Sequence, residues 1–165
     1  MLIRSELSSD IDAIFVVHKL SFSTTVEAEL VSRLREAQQL LVSLVAEVNQ
    51  SVVGHIAFSP VTTVWGHRGT ALGPIAVWDI YRRQGIATQL VEAGLATCKS
   101  AGLGWAVVRG DPGFYGRFGF RPAEHWGLAD EYRGNDAFQA IELISGALPV
   151  NARLVRYAEP FRSFK

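Results

Sequence analysis

Residues 72–122 decide the reading of this chain: LGPIAVWDI (72–80), YRRQGIAT (81–88), and then, past a long segment of helical periodicity, VVRGDPGFYGRFGFRP (107–122). The first piece belongs to a strand over Gly69 to Trp78 that is interrupted by Gly73-Pro74. Glycine packs nothing and proline donates no hydrogen bond, so the spacing predicts a bulge or local splaying there. Backbone groups of Ile75, Ala76 and Val77 would then lack a strand partner and need a substitute. From Arg83 to about Ala101 the residues Ile86, Ala87, Leu90, Val91, Leu95 and Cys98, with Gly94, recur at helical spacing, and Gly102 supplies the stop. Gly85 at the start of that helix lets backbone N–H groups approach a phosphate, whose charge the helix's positive end favours. Gln84 to Thr88 supply those amides, Arg82 and Arg83 the positive charge, and Thr88 a hydroxyl. The same glycine and alanine also serve merely to pack a helix on a sheet. A Walker A loop and a three-glycine dinucleotide fingerprint are both absent.

Working outward, Met1 to Glu6 reads as a short strand, and Ser8, Ser9 and Asp10 offer caps to a helix with Ile11, Ile14, Phe15 and His18 on one side. Thr24 and Glu27 have capping-box spacing before a second helix, which carries Leu30, Val31 and Leu34 and ends near Gln38. Leu41 to Val48 and Ser51 to Val64 form a hairpin through Asn49-Gln50. Trp105 to Arg109 is a short buried strand. Asp111-Pro112 caps a brief helix that Gly119 closes, and Ala137 to Ile144 is a late strand. The tail, Leu154 to Lys165, is aromatic and basic, and suits either an exposed sheet edge or a partner. Strand, two helices, three meandering strands, long helix, strand, short helix and late strands make an α+β sheet wrapped by helices.

Arg82-x-x-Gly85-x-Ala87 resembles the Gln/Arg-x-x-Gly-x-Gly/Ala signature of the GNAT acetyltransferase superfamily, and Tyr115 to Phe120 resembles that family's downstream tyrosine and Phe-Gly-Phe segment. Ala87 is the bulkier of the residues the signature permits. The resemblance implies a mixed, mostly antiparallel sheet of about seven strands, splayed near Gly73-Pro74 and flanked by about four helices. It spans one domain, 1–165, with 154–165 as a C-terminal tail. It further implies acetyl-CoA as co-substrate, its pantetheine arm lying as a pseudo-strand along Ile75, Ala76 and Val77, with the Val77 N–H polarising the thioester carbonyl. Tyr115 is then the acid, and Glu29 the candidate base on the acceptor side. Arg82, Arg83, Gln84, Gly85, Ile86, Ala87, Thr88, Asp111, Phe114 and Phe118 complete the cofactor contacts.

Several residues carry a second reading from the sequence alone. His55, between Val53 and Ala57 on one strand face, is a hydrogen-bonded sheet histidine or a base. Asp111 is an N-cap or a substrate contact, Glu27 part of a cap, Glu29 a solvated helix residue, and Cys98 a buried small hydrophobe rather than a nucleophile. The four tryptophans suit core packing, with Trp126 the best candidate for a pocket wall; Arg117 and Arg121 read as plain surface.

Sixteen basic residues balance sixteen acidic ones, so no bulk field draws the chain to nucleic acid or a membrane surface. One cysteine precludes an internal disulfide and a cysteine zinc cluster, pointing to the cytoplasm, with the mature chain expected to begin at Met1 and no metal expected. The acceptor is expected to be a small-molecule or peptide amine, and a homodimer is plausible. A non-catalytic acyl-CoA sensor and a nucleotide or phosphate-ester enzyme are the competing functions.

Overall fold

The computed structural model describes residues 1–132 and 136–164. Leu2–Ser5 (β1) pairs antiparallel with Val42–Val48 (β2), which turns into Ser51–Thr63 (β3). Asn49 and Gln50 in that turn have φ of 50° and 67°, the two-residue hairpin geometry that matches strand twist. β3 pairs antiparallel with Arg68–Val77 (β4), and β4 pairs in parallel with Trp105–Arg109 (β5). Arg121–Pro122 (β6), Leu128–Asp130 (β7), Phe138–Glu142 (β8) and Arg153–Tyr157 (β9) finish one nine-stranded sheet. The strands beyond the expected seven are very short: β6 has 2 residues and β7 has 3, too few to show a period. β9 settles where the start of the aromatic tail goes. It pairs with Val61 to Thr63 of β3 and with β7, completing this chain's own sheet. Lys165 of that tail lies outside the described residues.

Ile11–Ser21 (α1) and Val26–Glu36 (α2) cover one face, where Ile14 and Val31 meet Val45 and Ala57. Ile86–Ser100 (α3) covers the other, seating Leu90, Val91 and Cys98 on Leu44, Ile56 and Phe58. The two-residue alternation of β2 and β3 sorts these side chains between the layers. Each fully buried leucine or isoleucine contributes roughly 1.5–3 kcal/mol by leaving water. A further cluster, around Trp105, Phe138, Val155 and Tyr157, fills the end of the sheet where β9 enters. Pro112–Tyr115 (α4) is the brief helix after β5, and the Asp111 carboxylate accepts from the Gly113 N–H at 3.0 Å, as its cap role predicts.

The start of α2 departs from the expected capping box. The Thr24 hydroxyl accepts from the Val26 N–H at 3.3 Å, the Thr25 hydroxyl donates to Glu29 at 3.2 Å, and Glu27 is left out of the cap. The helix stops at Glu36, because Gln38 takes a left-handed φ of 59°. No helix of the described residues is long and apolar enough to cross a membrane.

Two features position the site. Opposite Ala57 of β3 stand both Gly73 and Pro74 of β4, since Ile56 pairs Ile75 while Phe58 pairs Leu72. This is the bulge expected at Gly73-Pro74. In addition, β4 and β5 pair only at Thr70 with Ala106 and Ala71 with Val107. Past those residues the parallel strands part, and the sheet opens along Ile75 to Val77.

Candidate active site

Trp78 N–H donates to the Val53 carbonyl at 2.8 Å, and the antiparallel register alternates from there. Ala76 therefore bonds to His55 of β3, while Ile75 and Val77 turn their amides toward the opening. This corrects the expectation for Ala76: it belongs to the β3–β4 ladder, and the free edge consists of its two neighbours.

At one end of that edge lies a cleft of about 350 Å³, bordered by Val77, Arg82, Arg83, Gly85 to Thr88, Phe114 and Arg117. Gly85 is the N-cap of α3, with φ of 78°, a left-handed conformation that a side chain resists. The first helical bond runs from Gln89 N–H to the Gly85 carbonyl. The amides of Ile86, Ala87 and Thr88 consequently have no helical acceptor and stand at the helix's positive end. Arg117 donates to the Thr88 hydroxyl at 3.3 Å and lies over the rings of Phe114 and Phe118, 5.5 and 5.8 Å from their centres. It is part of this cleft and not plain surface. Sequence gave no cue, because the residue reaches the helix start from the turn after α4.

Arg82 is placed differently from the expectation. Its Nε donates to the Val77 carbonyl at 3.1 Å, its Nη1 pairs with Asp79 at 2.7 Å, and its Nη2 reaches the Ser21 carbonyl at 3.4 Å. It borders the cleft while tying the turn to the end of β4. Gln84 bonds the Ile80 carbonyl at 3.4 Å and does not line the cleft; Phe118 supports Phe114 from 5.2 Å, and Asp111 stays with its cap.

At the other end a cleft of about 410 Å³ opens beside Leu72 to Ile75, Val108 and Arg109, with Tyr115 in its wall. The Tyr115 ring packs edge-on against Phe114 and Phe120, 4.9 and 5.8 Å between centres. Gly110 makes room for it, since a Cβ there would overlap the ring. Burial pushes the Tyr115 hydroxyl up to about 12, so it stays protonated at neutral pH. It makes no hydrogen bond among the described residues.

Glu29, the expected base, is exposed on α2, bonded to Thr25, and does not line the cleft. Two residues earlier, on the other side of α2, Glu27 does. His55 is wholly buried between His18 at 2.8 Å and Ser43 at 2.7 Å, a sheet histidine that lines neither cleft. Cys98 is buried under α3, which pushes its thiol up to about 12 and removes it as a nucleophile. Trp105 is core, Trp126 packs on the second cluster, Trp65 is exposed, and none of the tryptophans lines this cleft. No cluster of three or more potential metal ligands occurs among the described residues.

An open strand edge, with the unbonded amides of a helix start at one end and a buried phenol at the other, suits a long substrate bearing a phosphate and a peptide-like arm. Comparison with known proteins agrees. The sequence profile of the Acetyltransferase (GNAT) domain matches residues 3–123. The uncharacterized N-acetyltransferase YhbS of Escherichia coli K12 is 40% identical over 168 residues, covering 99% of this chain and all of YhbS. The crystal structure of E. coli YhbS in complex with CoA superposes with a TM-score of 0.91 at 37% identity, covering 99% of this chain and 93% of that one. A GNAT family acetyltransferase from Brucella melitensis in complex with acetyl-CoA gives 0.81 at 34% identity, covering 97% of both chains. By its sequence signature, its opened sheet and these relatives, the chain belongs to the GNAT family of acetyltransferases.

Proposed function

We propose that this chain transfers an acetyl group from acetyl-CoA directly to a primary amine. The observation that carries the reading is that both clefts lie along the one unpaired edge of β4. The amides of Ile86 to Thr88, together with Arg83 and Arg117, hold the pyrophosphate of the co-substrate. The arm follows the free backbone of β4. Val77 borders the phosphate cleft, and Ile75 borders the cleft containing Tyr115. The Ile75 N–H is therefore the better placed donor to the thioester carbonyl, and the Val77 N–H a donor to the arm. Such a fixed amide, aimed where charge develops, is worth about 2.7–4 kcal/mol in comparable sites.

The amine nitrogen attacks the carbonyl carbon, forming the C–N bond as the C–S bond breaks. A phenol pushed up to about 12 does not hand its proton outright to a thiolate whose acid ionises near about 8.5. Tyr115 instead passes its proton to the sulfur as it receives one leaving the nitrogen, and never persists as phenolate.

Calorimetric titration with acetyl-CoA, CoA and ATP tests the reading, with Gly85→Glu as the control that places a carboxylate at the helix start. Acetyl-CoA and CoA should bind and lose affinity in the variant. A preference for ATP, or no binding, refutes the assignment.

A further inference from the structure

Among the described residues lining the acceptor cleft, the walls are largely apolar, with Phe22, Leu72, Pro74, Tyr157 and Phe161 around Tyr115. Two charged side chains interrupt them, Glu27 and Arg109. The Arg109 guanidinium is committed: Nη1 lies 3.0 Å from Oδ2 of Asp130, whose side chain is fully buried, and its plane covers the Tyr132 ring at 5.5 Å. The Tyr157 hydroxyl donates to the same Asp130 oxygen at 3.2 Å. The half-buried Glu27 carboxylate forms no hydrogen bond or ion pair with any described residue. A carboxylate in an apolar cleft without a partner is complementary to a cation. Aromatic rings accept the apolar body of such a ligand and face its ammonium favourably.

We infer that the acceptor is a small aryl- or alkyl-substituted primary amine without a carboxylate, and that Glu27 receives its ammonium and takes its first proton. This rests on the acetyl-transfer reading above and adds the substrate class. A carboxylate on the acceptor would have to compete with Asp130 for Arg109, the one cation among the described residues lining the cleft. A polyamine would bring a second ammonium, and Glu27 is the one carboxylate among the described residues lining the cleft. The cleft's volume of about 410 Å³ accommodates the acetyl group and one compact amine. The protons balance. The ammonium proton goes to Glu27 and on to solvent, the neutral nitrogen attacks, and the second nitrogen proton replaces the one Tyr115 gives to the departing sulfur.

The test uses the whole chain with phenethylamine, phenylalanine, spermidine and a lysyl peptide. Acetyl-CoA affinity is measured first by calorimetry, so that failure there refutes the parent reading, and this inference with it, before any amine is judged. With acetyl-CoA bound normally, kcat/KM for phenethylamine should exceed that for phenylalanine and spermidine at least tenfold. Phenethylamine should also bind the CoA-saturated protein in a direct titration. Glu27→Gln should weaken that binding about tenfold and lower kcat/KM about 100-fold, with acetyl-CoA affinity unchanged and partial rescue by Glu27→Asp. Phe161→Ala should weaken phenethylamine binding alone, a readout independent of the Glu27 variants. Equal or faster turnover of phenylalanine, spermidine or the peptide, or an unaltered Glu27→Gln enzyme, overturns the inference.

Discussion

At the scale of single residues, the proposed mechanism gives a packing residue, Tyr115, a chemical task. Its ring is held by Phe114, Phe120 and the space left at Gly110, and these contacts survive loss of the hydroxyl. Tyr115→Phe should therefore lower kcat about 100-fold while leaving acetyl-CoA affinity and thermal stability nearly unchanged. Full activity in the variant would reduce Tyr115 to an aromatic plug. The direction of its pKa adds a second check. Burial disfavours the phenolate, so the hydroxyl stays protonated well above neutrality, and wild-type kcat should show no loss from this group up to about pH 10. Gly110→Ala pushes a methyl group into the ring and should lower kcat as well, this time with a measurable fall in Tm, because the fold and the proposed acid share that space.

At the scale of elements, the proposed anion site is a joint product of the α3 start and the turn after α4. Arg117 contributes from the turn, and loss of one charge-assisted hydrogen bond to phosphate costs about 1.5–3 kcal/mol. Arg117→Ala should weaken CoA binding at least about tenfold and reduce its salt dependence. Arg82→Ala should also perturb binding, through a loosened Val77 carbonyl rather than through lost phosphate contact, and so with a smaller change in salt dependence. The two arginines illustrate what the sequence made legible. The Gly85 helix start, the Gly73-Pro74 bulge, the hairpin and the Asp111 cap rest on local chemistry, which neighbouring residues determine, and each is where the pattern puts it. Arg117, Glu27, Tyr157 and Phe161 meet their clefts through the packing of elements distant in sequence, which spacing does not encode. Glu27 and Glu29 differ only in which side of α2 they occupy, and Thr24 and Thr25 rather than Glu27 make the bonds at the helix start. Short strands such as β6 and β7 depend on partners for their existence and left no period to read.

At the scale of the whole molecule, one buried polar network ties the N-terminal helices to the sheet. His18 of α1 bonds His55 of β3 at 2.8 Å, and His55 bonds Ser43 of β2 at 2.7 Å. Ser43 also donates to Glu6, whose carboxylate is gripped by Arg35 of α2 at 2.8 and 3.0 Å. Both histidines are fully buried, and His18 Nδ1 has no hydrogen-bond partner among the described residues, so a proton there would be a charge without compensation. Burial, then the Arg35 charge, lowers His18 to about 4, and burial together with His18 and Arg35 holds His55 well below its ordinary range. Above about pH 6.5 a histidine is neutral in both folded and unfolded chains, and these two contribute no pH dependence. Below it the unfolded chain takes up protons that the folded chain refuses, so stability falls as pH falls from about 6.5 toward 4. For His18 alone the loss by about pH 4 is roughly 3 kcal/mol. Tm measured from pH 7.5 to 4.5 should therefore drop steeply, and the double variant His18→Gln, His55→Gln, although less stable at neutral pH, should give a flatter curve. Parallel curves would place the acid sensitivity elsewhere. The consequence reaches the site, because α1 and α2 carry the segment with Phe22 and Glu27 to the proposed acceptor cleft. Amine binding to the CoA-saturated protein should then weaken on acidification along with Tm, and more so in wild type than in the double variant.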